Sequence, residues 1–220
     1  MLKVHVVHAG NRHFYGDALE QHFRIRHDIY VGERKWMELA RPDGREVDQF
    51  DTDTAIYLLG IAPGRGVVAG SRLVPTREPH LMSDVFPMLA NRRPLPRAPD
   101  IFEWTRIFVI PEERQKGRLC EAAGIIYLGI LEFCLAQSIT RLSVVCETYW
   151  IDRLHALGWN PTPLGTPIVK GGMEIVGITC DMTGQALART REFYGIADSV
   201  MAPVPLPFPP SSRGGGERGT

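Results

Sequence analysis

The stretch DIFEWTRIFVI, residues 100–110, has the apolar and aromatic composition of a buried β-strand, yet it carries Glu103 and Arg106 near its middle. Charged side chains rarely lie inside a protein unless an opposite charge pairs with them or the protein uses them. Strict alternation puts Arg106 on the face of Trp104 and Phe108, and Glu103 on the opposite face. The two charges can therefore face one site only if a β-bulge redirects part of the strand.

Regular elements are predicted on both sides of this strand, because apolar residues alternate or recur at helical spacing along most of the chain. The predicted strands are 3–9, 54–61, 66–76, 100–110, 141–148 and 172–182, and the predicted helices are 16–36, 113–140, 149–159 and 184–196. Residues 122–136 are apolar nearly all round, which is typical of a helix buried between layers. This order predicts an α/β (α+β) domain in which a mixed sheet carries helices on both faces.

Length and composition predict one domain, residues 1–200, followed by a Pro- and Gly-rich segment, residues 201–220, that we expect to be disordered. The 25 acidic residues balance 25 basic ones, so neither nucleic acid nor a membrane is an expected partner. The start of the chain lacks an apolar run, which argues against a signal peptide, and the apolar run at 122–136 is too short to cross a bilayer. We expect a cytoplasmic protein.

The cysteines and histidines do not form a metal-binding pattern. The four cysteines lack the paired spacing of zinc sites, and the seven histidines match no metal motif. In a chain of this size, such cysteines are typical of buried thiols in a reducing compartment. No metal is therefore expected.

Three arginines fall on apolar faces of predicted elements. Arg26 follows Phe23 at helical spacing, Arg72 alternates with Val74 in a strand, and Arg106 lies in the stretch quoted first. A lone arginine on such a face can extend its guanidinium group to water. Three of them together require anions, which come from the protein or from a substrate.

The stretch REVDQFDTD, residues 45–53, supplies carboxylates that can pair with these arginines, among them Glu46, Asp48 and Asp51. An exposed acidic loop, or an arginine–carboxylate network with a purely structural role, would explain this composition. In the functional alternative, the network lines a cleft for a small zwitterion. Its carboxylates would then face the amine of the ligand, and an arginine would face the ligand's carboxylate.

Glu103 is the candidate general base. A carboxylate among apolar neighbours such as Ile101 and Ile107 is expected to have a raised pKa, which suits a group that takes up a proton near neutral pH. In the alternative interpretation, an arginine from a neighbouring strand neutralises Glu103, and the pair only holds the structure together.

A basic segment, EERQKGRL at residues 112–119, precedes the apolar part of the long helix. It resembles half of the phosphate-binding loop of acetyltransferases, because Arg114 and Gly117 match that loop while Leu119 stands where it has a small residue. Free N–H groups at the start of a helix can bind phosphate. An ordinary basic entry to a helix is the alternative.

Six short stretches, in order along the chain, resemble the acyl-homoserine lactone synthases, the autoinducer synthases of bacterial quorum sensing. They are FRIRHDIYVGERKW at 23–36, EVDQFD at 46–51, AIYLLG at 55–60, GSRLVPT at 70–76, MSDVFP at 82–87 and EWTRIFV at 103–109. The resemblance runs from about residue 20 to residue 180. It implies a fold similar to that of the GCN5-type acetyltransferases, a twisted mixed sheet with helices on both faces.

The resemblance also implies a reaction and the residues for it. An acyl group passes from a thioester to the amine of S-adenosylmethionine, and lactone formation then releases methylthioadenosine. Both reactants are substrates, so no cofactor is implied. Glu103 and Arg106 match the family's Glu-x-x-Arg, and Glu103, acting directly or through water, is the candidate catalytic base. The implied S-adenosylmethionine-binding residues are Arg26, Tyr30, Trp36, Glu46, Asp48, Asp51, Arg72 and Arg106. Tyr30 departs from the family, which usually has Phe there.

EWTR and ETYWIDRLHALGW resemble a subgroup that takes branched or aryl acyl groups from coenzyme A, whereas most relatives use acyl carrier protein. Extra tryptophans would shorten an acyl pocket. The implied acyl-binding residues are Met82, Phe86, Trp104, Thr105, Phe108, Tyr149 and Trp150, although each of them also fits plain core. Arg114, Lys116 and Arg118 would contact the phosphates of coenzyme A or an acidic carrier protein.

Two other functions fit the same residues. One is an N-acyltransferase of the same fold that acts on another amine and releases no methylthioadenosine. The other is a non-catalytic module that binds S-adenosylmethionine or coenzyme A and reports on it. The Glu103 and Arg106 pair argues against the second, because a sensor needs no base.

Overall fold

A mixed eight-stranded sheet runs through the part of the chain that the structure, a computed structural model, describes: residues 1–114 and 119–203. Its strands are β1 (Lys3–Val7), β2 (Ile56–Ala62), β3 (Gly66–Pro75), β4 (Ile101–Val109), β5 (Arg141–Glu147), β6 (Thr162–Pro163), β7 (Ile168–Lys170) and β8 (Met173–Asp181). Their order is β1-β2-β3-β4-β5-β8-β6, with β7 also paired to β8. Among these strands, β4 and β5 pair in parallel, and the other pairs are antiparallel.

Five α-helices accompany the sheet in the described residues. They are α1 (Gly16–His27), α2 (Leu81–Asp84), α3 (Glu121–Ala136), α4 (Trp150–Ala156) and α5 (Gly184–Tyr194). A π-helical turn, Asp28–Glu33, continues α1, so the predicted helix 16–36 changes its winding near its end. The predicted helix 113–140 begins later than expected, because Pro111–Glu113 forms a separate 3₁₀ turn.

Helices cover both faces of the sheet, which confirms the predicted architecture. On one face α3 packs against β1 to β4 and is itself covered by α5, with Leu58 and Leu142 in the shared core. On the other face α1 packs through Leu19 and Phe23 against Tyr57 and neighbouring strand residues. Nearly all of α3 is buried, as its apolar sequence predicts.

The parallel pair β4 and β5 separates soon after it begins. The two strands pair at only three positions, Ile101 with Arg141, Phe102 with Leu142, and Glu103 with Ser143. Both strands nevertheless continue for several more residues, β4 to Val109 and β5 to Glu147. The strands therefore diverge and leave a V-shaped cleft in the middle of the sheet.

A β-bulge lies in β4 beside this cleft, which meets the condition for its two charges to face one site. Gly70 pairs with Phe108 and Arg72 pairs with Thr105, so Arg106 and Ile107 together oppose a single residue of β3. The backbone of Arg106 has φ of 55°, in the left-handed region. The bulge breaks the alternation of side chains, which allows Arg106 and Thr105 to serve the same side of the sheet.

The last described residues run beside β1. The N–H of Val4 donates to the carbonyl of Val200 at 2.9 Å, and the N–H of Ala202 donates to the carbonyl of Val4 at 2.8 Å. The paired part of the chain therefore extends slightly beyond residue 200. The expected disorder of 201–220 concerns mostly residues 204–220, which lie outside the described residues, and the domain boundary stays a prediction.

Candidate active site

A cavity of about 690 Å³ opens where β4 and β5 diverge. Its walls come from the end of α1, the acidic loop after it, α2, both strands of the cleft, α4 and the β7–β8 hairpin. The lining residues include Tyr30, Arg34, Trp36, Asp48, Leu81, Phe86, Trp104, Thr105, Arg106, Val144, Val145, Cys146, Glu147, Trp150 and Lys170. The sequence supplies them from segments far apart in the chain, so only the fold brings them together.

A network of three arginines and three carboxylates lies behind one wall of this cavity. Arg26 donates to both oxygens of Asp51, at 2.8 and 2.9 Å, and to Glu46 at 2.5 Å. Arg72 donates to both oxygens of Asp48, at 2.6 and 2.9 Å, and also contacts Asp51 at 2.8 Å. The paired geometry of these contacts is the strongest that a guanidinium and a carboxylate can form.

Arg106 closes the network from the bulge of β4. It donates to both oxygens of Glu46 at 2.9 Å and to Asp48 at 2.8 Å. Burial raises the pKa of Glu46, but the Arg106 and Arg26 guanidinium groups outweigh burial and hold that pKa below its ordinary value. Three positive and three negative groups therefore balance inside the protein.

Only two members of the network line the cavity. The side chains of Asp48 and Arg106 are 10% and 7% exposed, and both lie in the cavity wall. The predicted S-adenosylmethionine-binding residues Arg26, Glu46, Asp51 and Arg72 lie behind them and do not line it. The network thus has an inner, fully buried part and one carboxylate–guanidinium pair at the cavity surface.

Tyr30 and Trp36 form an aromatic wall beside that pair. Their rings stack with centroids 5.2 Å apart, and the guanidinium group of Arg106 lies 5.4 Å from the ring centre of Tyr30. The hydroxyl of Tyr30 donates to the carbonyl of Ile107 at 2.8 Å. The structure thus places both predicted aromatic residues in the cavity wall, where their faces can contact an apolar or cationic group.

Glu103 lies just behind the cavity wall, fully buried. Its two oxygens accept hydrogen bonds from the backbone N–H groups of Leu81 and Met82, each at 2.7 Å. These are N–H groups of the first turn of α2, which have no partner within a helix. No described arginine forms an ion pair with Glu103. The structure therefore does not support the alternative in which an arginine from a neighbouring strand neutralises this carboxylate.

Burial dominates the electrostatics of Glu103 and raises its pKa to about 7. The two N–H groups and the nearby charge of Arg72 act in the opposite direction, and the charge of Asp48 raises the pKa further. A carboxylate in this environment exchanges a proton near neutral pH, as a general base requires.

Four of the predicted acyl-binding residues, Phe86, Trp104, Thr105 and Trp150, line the cavity. Trp104 is fixed by its indole N–H, which donates to the hydroxyl of Ser71 at 2.6 Å. The rings of Trp104 and Trp150 meet edge to face, with centroids 6.3 Å apart. These aromatic side chains bound the cavity on the side of α4.

The other three predicted acyl-binding residues, Met82, Phe108 and Tyr149, do not line it. Met82 is buried against Gly177, and Phe108 follows the bulge and packs near His22, with ring centroids 5.3 Å apart. Tyr149 is 61% exposed and stacks on the outer side of Trp150. Alternation along the sequence cannot locate these side chains, because the bulge and the turn before α4 interrupt it.

The predicted phosphate contacts are only partly described. Arg114 donates to Glu33 and to the carbonyl of Val109, both at 2.6 Å, and does not line the cavity. Lys116 and Arg118 lie outside the described residues. The role of this basic segment therefore stays a prediction.

Two contacts at the cavity were not predicted. Arg34 donates to Glu147 at 2.5 Å, which joins the residue after the π-helical turn to the end of β5. The ammonium group of Lys170 lies 4.4 Å from the ring centre of Phe86. Arg34 lies within a stretch that carries the family resemblance, but nothing in its spacing indicates a partner more than one hundred residues away.

The described residues contain no group of three or more histidine, cysteine or acidic side chains that could hold a metal ion. Nor does any described helix have the length and apolar character to span a bilayer. All four cysteines are free thiols.

Comparison with known proteins gives consistent matches over most of the chain. Residues 12–188 match the family model described as autoinducer synthase. A curated relative, the isovaleryl-homoserine lactone synthase of Bradyrhizobium diazoefficiens, is 43% identical over 202 residues, which cover 92% of this chain and 90% of the relative. At this identity and coverage the two chains share one fold along nearly their whole length.

Solved structures of acyl-homoserine lactone synthases also match most of this chain. The coenzyme A-dependent acyl-homoserine lactone synthase BjaI, solved with SAM and isopentyl-CoA, superposes with a TM-score of 0.87 at 42% identity, covering 94% of this chain and 95% of BjaI. MesI, another coenzyme A-dependent acyl-homoserine lactone synthase, superposes with a TM-score of 0.82 at 46% identity, covering 91% of this chain and 99% of MesI. An acyl-CoA N-acyltransferase from Pseudomonas aeruginosa shares the fold, with a TM-score of 0.55 at 13% identity. The match covers 83% of this chain and 100% of the acyltransferase. The chain belongs to the autoinducer synthase family.

Proposed function

We propose that this chain is an acyl-homoserine lactone synthase that uses coenzyme A thioesters. The observation that carries the proposal is the Asp48–Arg106 pair, which borders an aromatic-walled cavity directly beside a buried carboxylate, Glu103. Family membership supports it, and so do BjaI structures with SAM and isopentyl-CoA and with MTA, methylthioadenosine.

Recognition of S-adenosylmethionine follows from the charge pattern of the wall. The ammonium group of its methionine part would face Asp48, and its carboxylate would face Arg106. Tyr30 and Trp36 would contact the sulfonium or the adenosine part through their ring faces. Because the network is already balanced, a zwitterionic head group can enter without leaving a net charge buried.

Acyl transfer requires a free amine. An α-ammonium group has an ordinary pKa of about 8, so it must lose a proton before its nitrogen can attack the thioester carbonyl. Glu103 would take that proton, and backbone N–H groups at the bulge of β4 would hold the developing oxyanion. The nitrogen adds to the carbonyl carbon, and the C–S bond breaks as the oxyanion collapses. The departing thiolate takes the second proton that the nitrogen loses, so coenzyme A leaves as its thiol.

Lactone formation needs positioning more than acid or base. The carboxylate of the acylated substrate attacks its own γ-carbon, the C–S bond of the sulfonium breaks, and methylthioadenosine leaves with the electron pair. Sulfonium is a good leaving group, so holding the carboxylate in line with the γ-carbon supplies most of the advantage. Arg106, fixed by Glu46, is the group placed to do so.

The aromatic end of the cavity supports a short, branched or aromatic acyl group. Trp104 and Trp150 occupy space that a long straight chain would need. The names of the Bradyrhizobium relative and of the BjaI complex point to five-carbon branched donors for those proteins. We therefore propose a short branched acyl-CoA as the donor, with acyl carrier protein as the alternative carrier.

We expect the reaction to take place in the cytoplasm. The four free cysteines support this location, since thiols persist in reducing compartments. The balance of 25 acidic and 25 basic residues gives no reason to expect nucleic acid or a membrane surface as a partner.

The test is a donor panel. Purified protein is incubated with S-adenosylmethionine and straight, branched or aryl acyl-CoAs, and products are identified by mass spectrometry. A homoserine lactone carrying the donor's acyl group is the expected product, formed fastest from a short branched donor. Thiol release with other amines but without methylthioadenosine would instead indicate an ordinary N-acyltransferase. Tight binding of S-adenosylmethionine without turnover on any carrier would indicate a sensor.

A further inference from the structure

Ser143 lies beside Glu103 at the point where β4 and β5 separate. The two residues form the last of the three pairs that join these strands, and both are completely buried. Neighbouring strands lie about 4.8 Å apart, so paired residues of one face are adjacent.

Both side chains point to the same face of the sheet. Their neighbours Trp104, Leu142 and Val144 belong to the core that α3 covers. Successive side chains of a strand alternate, so Glu103 and Ser143 face the other way, toward α2. The hydrogen bonds from the start of α2 to Glu103 agree with this placement.

The hydroxyl of Ser143 has no hydrogen-bond partner among the described residues. A buried hydroxyl without a partner is unfavourable, and alanine or valine would fill such a place without that loss. Each oxygen of Glu103 accepts one backbone hydrogen bond and keeps capacity for another. The two adjacent side chains thus have unused hydrogen-bonding capacity at the same place.

This place lies directly beneath the cavity. Two residues further along each strand, Thr105 on β4 and Val145 on β5 line the cavity, and so does Leu81 of α2. Glu103 itself does not line it, so a proton from a bound substrate needs a carrier to reach the carboxylate.

We propose that Ser143 is a positioning residue for Glu103, and that its hydroxyl and the carboxylate together hold one water molecule that reaches the cavity. This inference rests on the proposed function. A proton passes from the substrate's ammonium group to this water, and the water gives one of its own protons to Glu103. The amine is left neutral, Glu103 becomes a carboxylic acid, and Ser143 keeps its proton throughout. A buried water with two or three polar partners of this kind is common in proteins.

Other charged groups act on Glu103 as well. Arg72 from β3 and Asp48 from the acidic loop influence its charge, and the N–H groups of α2 donate to it. Replacing Ser143 leaves all of these in place, so an effect of that replacement on proton transfer belongs to the hydroxyl.

Kinetics of Ser143→Ala and Ser143→Thr give the first test. In Ser143→Ala we expect kcat to fall about tenfold or more, a part of what proton transfer contributes, with KM for S-adenosylmethionine within about twofold. The rise of kcat with pH should also move to higher pH, because the carboxylate loses support for its charged form. Ser143→Thr keeps the hydroxyl and should retain most of kcat. Wild-type kcat and pH profile in Ser143→Ala would overturn the inference.

A double-mutant cycle in urea unfolding gives a second test that needs no turnover. Ser143→Ala, Glu103→Gln and the double variant are compared at pH 8, and the shifts of the unfolding midpoint should not add. Thr76→Val is the matched control: it removes a buried hydroxyl that bonds the carbonyls of Ala98 and Ile101, so its shift should add to that of Glu103→Gln. Additive shifts for Ser143→Ala, with equal or higher stability, would show an uninvolved hydroxyl.

The outcomes separate the two proposals. A wild type that releases no methylthioadenosine with any donor overturns the proposed function, and the proton path with it. A wild type that turns over normally, with an unaffected Ser143→Ala variant, overturns the role of Ser143 alone.

Discussion

Burial raises the pKa of Glu103 and backbone hydrogen bonds lower it, and the sequence indicates only the first of these effects. The apolar character of its strand predicts burial and a raised pKa, and the structure agrees, with a pKa of about 7. The two N–H groups that hold it come from Leu81 and Met82, in a Pro-rich stretch between two predicted strands. Helices of four residues have no periodicity that a sequence pattern could reveal.

Glu103→Gln should abolish most turnover. The amide cannot take a proton, and general-base catalysis contributes about 10²- to 10⁴-fold, so kcat should fall by at least about 100-fold. One of the two N–H groups will also face the amide NH₂, so thermal unfolding should be measured alongside methylthioadenosine release. Retention of S-adenosylmethionine binding, measured by calorimetry, is the control for folding. A kcat within a few-fold of wild type would remove Glu103 as the base.

The stability of the protein should depend on pH through the same residue. Its pKa is raised from 4.5 unfolded to about 7 folded, so its contribution is present in full below pH 4.5 and is lost as pH rises through 7. The stability advantage of wild type over Glu103→Gln should therefore fall by about 3 kcal/mol between pH 4.5 and 8. Urea unfolding of both proteins across this range measures it. A constant difference would mean that Glu103 has an ordinary pKa.

Asp48 and Asp51 separate the two parts of the charge network. Asp48→Asn should mainly raise KM for S-adenosylmethionine, about tenfold, because Asp48 lies at the cavity surface. Asp51→Asn should destabilise the protein by about 3–5 kcal/mol, because it removes a carboxylate that Arg26 and Arg72 share and leaves three buried guanidinium groups with two carboxylates. Initial rates and urea unfolding of both variants test this, and equal effects on KM would contradict the division.

Among the secondary-structure elements, β4 has one irregularity that its sequence indicates and another that it does not. Two charges on opposite faces of one strand could serve one site only through a bulge, and a bulge is present at Arg106 and Ile107. The early separation of β4 from β5 had no signal in either strand, because both have ordinary strand composition throughout. The short strands β6 and β7, of two and three residues, were missed because alternation needs more residues than they have.

The helix α4 and the turn before it should set the length of the acyl group. Trp150 lines the cavity from α4, so Trp150→Ala should raise kcat/KM for straight acyl-CoAs longer than the best donor, relative to that donor, by about tenfold. Tyr149→Ala is the matched control, because Tyr149 is exposed and stacks on the outer side of Trp150. Competition assays with paired donors measure the ratio. An unchanged preference in Trp150→Ala would place the acyl group elsewhere.

In the assembled protein, the cavity is the feature that no single stretch of sequence predicts. Four of the six motifs supplied all six members of the charge network, because the three arginines stood out against apolar neighbours and one acidic stretch held the three carboxylates. The contacts of Arg34 with Glu147 and of Lys170 with Phe86 join segments that are distant in the chain, and each residue alone resembles ordinary surface. Conversely, Phe108 and Met82 had the character of pocket residues but lie in the core.

The ratio of methylthioadenosine to free thiol tests the proposed reaction most directly. Purified protein is incubated with S-adenosylmethionine and isovaleryl-CoA, and both products are quantified over time in the same samples. Acylation followed by lactone formation predicts equal amounts of the two, with isovaleryl-homoserine lactone accumulating at the same rate. Thiol release without methylthioadenosine, or no release of either with any acyl-CoA or acyl carrier protein donor, would contradict it.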